Sequence, residues 1–186
     1  MSSSPGAPRS SGSESRASPA KVLRAVALLP GMVAVVVPGL LIWAYGTEIG
    51  WGLPGALGAL PVLCGLALFT VALRLWLETV RLFAAVGKGT LAPWDPTQRL
   101  VVQGPYRRVR NPMISAVAFI LAAEAIAFGS VPIAIWFAIF ATVNAIYIPL
   151  GEEPGLARRF GEDYERYRRA VPRWIPRRTP WTPNCS

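Results

Sequence analysis

Four stretches of this chain run for about 17 to 21 residues with almost no charge: Ala25 to Tyr45, Leu53 to Leu73, Pro112 to Phe128 and Val131 to Leu150. At 1.5 Å of rise per residue, each is long enough as a helix to cross a hydrocarbon core of roughly 30 Å. Backbone in lipid must satisfy its own hydrogen bonds, so the sequence predicts an all-α integral membrane protein with about four transmembrane helices. Only Glu124 interrupts the third run, while Pro132, Pro149 and Asn144 mark the fourth. Gly129 and Ser130 alone join those two runs, which forces an antiparallel hairpin. No Pro or Gly breaks Leu66 to Val86, so run two continues as a helix past the membrane surface. Composition agrees: 53% hydrophobic against 16% charged, with a mean hydropathy of +0.40, is too apolar for a water-soluble domain of 186 residues.

Residues 1–20 are Ser, Gly, Pro and Ala with little else, and read as a disordered arm ahead of a membrane domain over 21–186. The first apolar run follows this arm and continues to Tyr45, the pattern of a retained transmembrane helix rather than a signal peptide. Charge then sets orientation. The arm and its junction hold Arg9, Arg16, Lys21 and Arg24, the loop after run two holds Lys88, Arg99, Arg107, Arg108 and Arg110, and the tail holds eight Arg. The opposite side has only Glu48. By the positive-inside rule both termini are expected on the cytoplasmic side of a cell's inner membrane. The net charge of +9 is then spent on an anionic leaflet, and no nucleic-acid partner is expected.

The chain has no histidine and only two cysteines, Cys64 and Cys185, which excludes His-based triads, zinc sites and a disulfide framework, so no metal is expected. Chemistry must come from Arg, Glu, Tyr, Asn and backbone groups. Two polar segments, 101–113 and 151–176, flank the last hairpin on one face of the membrane. The ends of that hairpin must meet, so Arg110-Asn111 and Glu152-Glu153 are expected to face each other and build one pocket. Gly104 permits close backbone approach, Tyr106 offers a ring and a hydroxyl, Arg110 can fork onto a carboxylate, and a Glu can hold ribose hydroxyls or an ammonium. Such a pocket suits a small zwitterionic or cationic ligand with an aromatic base. The plainer reading has the arginines on lipid phosphates and the two glutamates in surface ion pairs.

The residues then carry a resemblance. Gly89-Thr90-Leu91-Ala92-Pro93-Trp94-Asp95-Pro96 leads into Gly104-Pro105-Tyr106-Arg107 and Arg110-Asn111-Pro112. A second block runs Glu152-Glu153, Leu156, Phe160-Gly161, Tyr164, Tyr167, Val171-Pro172-Arg173 and a later Pro176. Over about half of the chain, Gly87 to Pro176, this resembles the isoprenylcysteine carboxyl methyltransferases and their relatives, the phospholipid N-methyltransferases, whose Arg-His-Pro is Arg-Asn-Pro in bacterial members. The resemblance implies a membrane enzyme using S-adenosylmethionine. It places Val102, Gly104 and Tyr106 beside the adenosyl part, and Arg110, Asn111, Pro112 and Glu152 on the methionyl and ribose groups. Glu153 is a second ligand or a cap, and Arg173 reaches substrate or anchors at the membrane surface. Tyr164 and Tyr167 lie on one face of a C-terminal amphipathic helix, packing over the pocket. Ile114 and Ala116 stand where relatives have Tyr and Gly.

The expected reaction is methyl transfer to a lipid-like acceptor. A carboxylate acceptor, as in isoprenylcysteine O-methylation, would be drawn to the arginine rim and oriented by Arg110 or Arg173. An amine would need a base, for which Glu153 is the nearest candidate. Three alternatives stand beside the carboxylate reading: phospholipid N-methylation, an NADPH-dependent sterol-type reductase, and a non-catalytic membrane protein, the last favoured by Ile114 and Ala116. Thr70, Arg74, Glu78 and Arg81 form one stripe on run two, either a headgroup path or a surface where Arg74 and Glu78 neutralise each other. Glu124 and Asn144 are expected to bond across helices.

Overall fold

The computed structural model describes residues 30–86 and 100–182. The arm over 1–20, the start of the first apolar run and the lead-in over 89–96 lie outside the described residues. Among the described residues there are helices and turns and no strand. A π-helical turn, Met32–Val36, leads into α1 (Val37–Tyr45). In that turn Val37 N–H reaches Met32 O, a five-residue spacing that brings Pro38 into the first helical turn, where its missing N–H costs least. A 3₁₀ turn at Ile49–Gly52 precedes α2 (Ala56–Val86), which is 31 residues and about 46 Å long. Next come a 3₁₀ turn, Gly104–Arg107, and the hairpin of α3 (Pro112–Phe128) and α4 (Val131–Tyr147). A π turn, Ile148–Glu152, joins α4 to α5 (Glu153–Ala170).

Three helical stretches are long and apolar enough to span a membrane, Met32–Gly52, Ala56–Leu82 and Val131–Ala170, and α3 is a shorter apolar helix beside them. The protein is an integral membrane protein of the all-α class. Side chains around its outer face are apolar and exposed, among them Leu40, Leu60, Leu63, Ile135, Ile139 and Val143, as lipid contact requires.

α3 packs between α2 and α4. Gly65 makes the α2–α3 contact possible: a Cβ there would lie 2.7 Å from the Ala127 Cβ and 2.8 Å from Ala123 O, so only glycine allows the two backbones this close. Ala34, Ala72, Val117 and Ile120 form the shared core, with Phe69, Trp76 and Phe140 packed against them. Trp136 Nε1 donates to Val33 O at 3.0 Å and ties the π turn ahead of α1 to α4.

The two ends of the bundle are distinct. At one end Glu48 N–H donates to Phe128 O (3.1 Å) and Trp51 Nε1 donates to Ile126 O (3.0 Å), so the α1–α2 loop lies over the α3–α4 turn. At the other end the 104–110 loop meets α5 and the tail. Past the fourth apolar run the wider π turn absorbs the missing donor of Pro149 and the helix carries on through α5. One expectation changes here. Asn144 does not bridge helices but donates to Phe140 O in its own helix at 2.8 Å.

Candidate functional site

The site end is built by the chain between Gly104 and Pro112. Gly104 has φ +52°, a conformation L residues rarely adopt. A Cβ at Gly104 would meet only ordinary contacts, Glu78 Oε1 at 3.6 Å and a Leu82 methyl at 3.7 Å, so within the chain the glycine serves the turn rather than a tight approach. The following 3₁₀ turn buries Pro105 and Val109 and delivers Arg110 inward. Pro112, fully buried, then starts α3, where a missing N–H is harmless.

The C-terminal tail clamps this loop from outside. Arg110 N–H donates to Pro172 O (3.0 Å), Arg177 N–H to Arg108 O (2.9 Å) and Trp181 N–H to Arg107 O (2.8 Å). Side chains answer: Arg107 Nε donates to Trp181 O at 2.7 Å and Arg108 Nη1 to Arg178 O at 3.0 Å. Tyr164 and Tyr167 are buried on α5 among Val102, Leu156, Phe160, Val171 and Trp181, as their shared helical face predicts. Tyr167 also donates its hydroxyl to Tyr106 O at 2.7 Å, which fixes the 3₁₀ turn on α5.

Glu153 is the centre of the site. Its side chain is 4% exposed and accepts from Arg110 Nη1 at 2.9 Å and from Arg173 Nε and Nη2 at 2.7 and 2.9 Å. The hairpin thus brings Arg110 onto the glutamate pair as its topology requires, and the partner is Glu153. Burial would raise the Glu153 carboxyl, but the Arg173 hydrogen bonds and the charges of both arginines hold it below the ordinary range. Glu152 is exposed. Partial desolvation and the neighbouring Glu153 charge push its carboxyl up. Burial raises the Tyr106 hydroxyl strongly, with Tyr167 and Glu152 adding to the effect, so it stays a neutral phenol. Tyr164, hydrogen-bonded to Arg110, is raised by burial and by Glu153.

Among the described residues three buried side-chain donors have no acceptor: Trp76 Nε1 within the bundle and, at this end, Arg110 Nε and Asn111 Nδ2. Unpaired buried donors are rare, and two on adjacent residues complement an anionic or carbonyl oxygen from a ligand. On the same loop Val102, Gln103, Gly104 and Arg107, with Thr182, line an open cavity of about 520 Å³, within the ordinary size range for small-molecule sites. These features fit the carboxylate and the adenosyl part of S-adenosylmethionine.

Arg173 lies on Glu153. On the α2 stripe, Thr70 bonds Leu66 O in its own helix, and neither Arg74 nor Glu78 takes part in an ion pair among the described residues, so the neutralising pair weighed from the sequence is absent. Ala116 is completely buried among the helices. Sequence reasoning missed Trp181, whose ring packs on Tyr167 at 5.7 Å, and the approach of Glu78 to Gly104. A Trp in a basic, proline-rich tail gives no periodic signal, whereas the charged stripe did flag Glu78.

The family model for phospholipid methyltransferase matches residues 60–163. No curated protein and no solved structure matches the chain. The matched region runs from the first turns of α2 through the 104–110 loop and the hairpin into α5, and so contains Arg110, Asn111, Glu152 and Glu153. With more than half of its length matched, and with those residues gathered at one end of an apolar bundle, the chain belongs to the phospholipid methyltransferase family of membrane methyltransferases.

Proposed function

We propose that this protein is an S-adenosylmethionine-dependent methyltransferase of the inner membrane, with both termini cytoplasmic, acting on a lipid-like acceptor. The observation that carries the reading is the pair of unpaired buried donors, Arg110 Nε and Asn111 Nδ2, beside the Arg110–Glu153–Arg173 cluster. Within the family, Arg110-Asn111-Pro112 supports a bacterial type of isoprenylcysteine carboxyl methyltransferase-like chain.

When bound, the cofactor supplies a methyl group on a sulfonium, and transfer needs in-line alignment and exclusion of water more than acid–base help. Arg110 and Asn111 hold the carboxylate. Glu153 holds the Arg110 guanidinium in place while Arg173 completes its charge, so both arginines and Glu153 act on the bound groups as one unit. Val102, Gly104 and Tyr106 border the adenosyl part, and Pro112 sets the helix start behind it. Glu152, exposed and with its carboxyl raised, is free for a ribose hydroxyl or for the proton of an amine acceptor. Glu153, held ionised under two arginines, is poorly suited to be that base.

These side chains bear on the acceptor. The carboxylate reading drew on Arg107, Arg108, Arg110 and Arg173 together, but Glu153 engages two of them. An amine headgroup, served by Glu152, is therefore the better supported acceptor. A carboxylate acceptor is the second reading, favoured by Arg107, which lines the cavity and takes part in no ion pair among the described residues. Incubating membranes with methyl-labelled S-adenosylmethionine and treating the product with mild alkali separates them. N-methyl products keep the label, and esters release it as methanol. Absence of any label transfer by folded protein across lipid extracts would overturn the methyltransferase reading itself.

A further inference from the structure

The charged stripe on α2 has a position that the methyl-transfer reading does not use. Glu78 lies 22 residues into α2, about 33 Å along the axis, so it stands where the helix leaves a hydrocarbon core of roughly 30 Å. Arg74 and Arg81 lie one turn to either side on the same face, and all three side chains are exposed. Charges at this depth usually neutralise one another or bond backbone, yet none of the three takes part in an ion pair among the described residues. Glu78 Oε1 also comes within 3.6 Å of where a Gly104 Cβ would be, and Gly104 lines the cavity.

We propose that Arg74, Glu78 and Arg81 form the headgroup-reading surface for the lipid acceptor, with Glu78 taking a cationic group at the cavity mouth beside Gly104 and an adjoining arginine taking an anionic group. The alternation of plus, minus, plus along one helical face complements a headgroup that carries phosphate and ammonium together. A lipid diffusing in the bilayer meets α2 with its headgroup at this level and its tails along the apolar face below Leu73. Glu78 thereby sets which headgroup enters, while Arg110 and Asn111 serve the cofactor. The proposal rests on the membrane methyltransferase reading for its purpose, but the surface itself can be tested without turnover.

Native mass spectrometry of the full chain in detergent, with equal amounts of dioleoyl-phosphatidylethanolamine and dioleoyl-phosphatidylglycerol, counts the lipids retained. The parent is expected to retain the zwitterionic lipid preferentially. Glu78→Gln is expected to lower that preference by about threefold, the effect of one exposed charge contact. Arg74→Gln with Arg81→Gln should lower retention of both lipids. Calorimetric affinity for S-adenosylhomocysteine should stay the same in Glu78→Gln, which also reports that the variant is folded. An unchanged lipid ratio in Glu78→Gln, or a parent with no preference, overturns the headgroup surface. A loss of S-adenosylhomocysteine affinity in Glu78→Gln equal to its loss of lipid overturns it too, because Glu78 would then support the whole site. A parent that shows the lipid preference yet never binds S-adenosylhomocysteine leaves the surface standing and removes the methyltransferase reading.

Discussion

Replacing Glu153 by Gln keeps the shape of the side chain and removes its charge from beneath two arginines. Glu153 is 4% exposed, Arg110 10% and Arg173 30%, so the cluster is mostly withdrawn from water. Breaking a buried ion pair by neutralising one partner costs about 3–5 kcal/mol, because the remaining charge is stranded. Two features place Glu153→Gln at about 3 kcal/mol, the lower end of that range. Arg173 keeps part of its hydration, and the Gln carbonyl still accepts from one guanidinium. Arg173→Gln leaves the Arg110–Glu153 pair intact and should cost only about 1.5 kcal/mol, the loss of charged hydrogen bonds alone. Equilibrium unfolding in mixed micelles, followed by tryptophan fluorescence, compares the variants. The pH dependence follows from the lowered carboxyl. Its stabilisation is complete above the unfolded value of 4.5 and is lost as pH falls through the folded value, and Glu153→Gln should lack this acid-sensitive component. A Glu153→Gln protein within about 0.5 kcal/mol of the parent at pH 7 would refute the reasoning.

Tyr167→Phe removes the hydroxyl that donates to Tyr106 O, which should cost about 1 kcal/mol in the same unfolding assay, with no change expected from Tyr164→Phe at Tyr106. Glu152 has its carboxyl raised, so its ionised form is disfavoured in the fold; Glu152→Gln should be at least as stable as the parent at pH 7, while losing any acid limb of the rate profile that the parent shows. For topology, single cysteines at Thr47 and Ser11 in a Cys-free background should label from outside at Thr47 only, and external labelling at Ser11 would reverse the orientation.

The apolar runs made the helices legible because a lipid environment leaves the backbone no other solution. Run two ends at Val86, as the absence of Pro and Gly from Leu66 onward requires. The unbroken passage from the fourth run into α5 was not legible, because it depends on a π turn at Pro149 and nothing in residue order announces one. The two-residue turn at Gly129-Ser130 was enough to bring Arg110 to the glutamate pair. Which glutamate it meets is a matter of helix phase: neighbours on a helix point about 100° apart, and only the packing of α5 turns Glu153 inward. Arg173 was ambiguous for a similar reason. Its place on Glu153 depends on Val171 leaving the helix in an extended conformation, which folds the tail back over the 104–110 loop.

The central claim is that Arg110 and Asn111 hold the carboxylate of S-adenosylmethionine, and calorimetry of the purified protein with S-adenosylhomocysteine and with NADPH tests it most directly. The parent should bind S-adenosylhomocysteine and not NADPH. Asn111→Ala should weaken that binding by about 1–1.5 kcal/mol and Arg110→Ala by about 1.5–3 kcal/mol, each in protein shown to be folded. Binding of NADPH without S-adenosylhomocysteine, or S-adenosylhomocysteine affinity unchanged in both variants, would contradict the account.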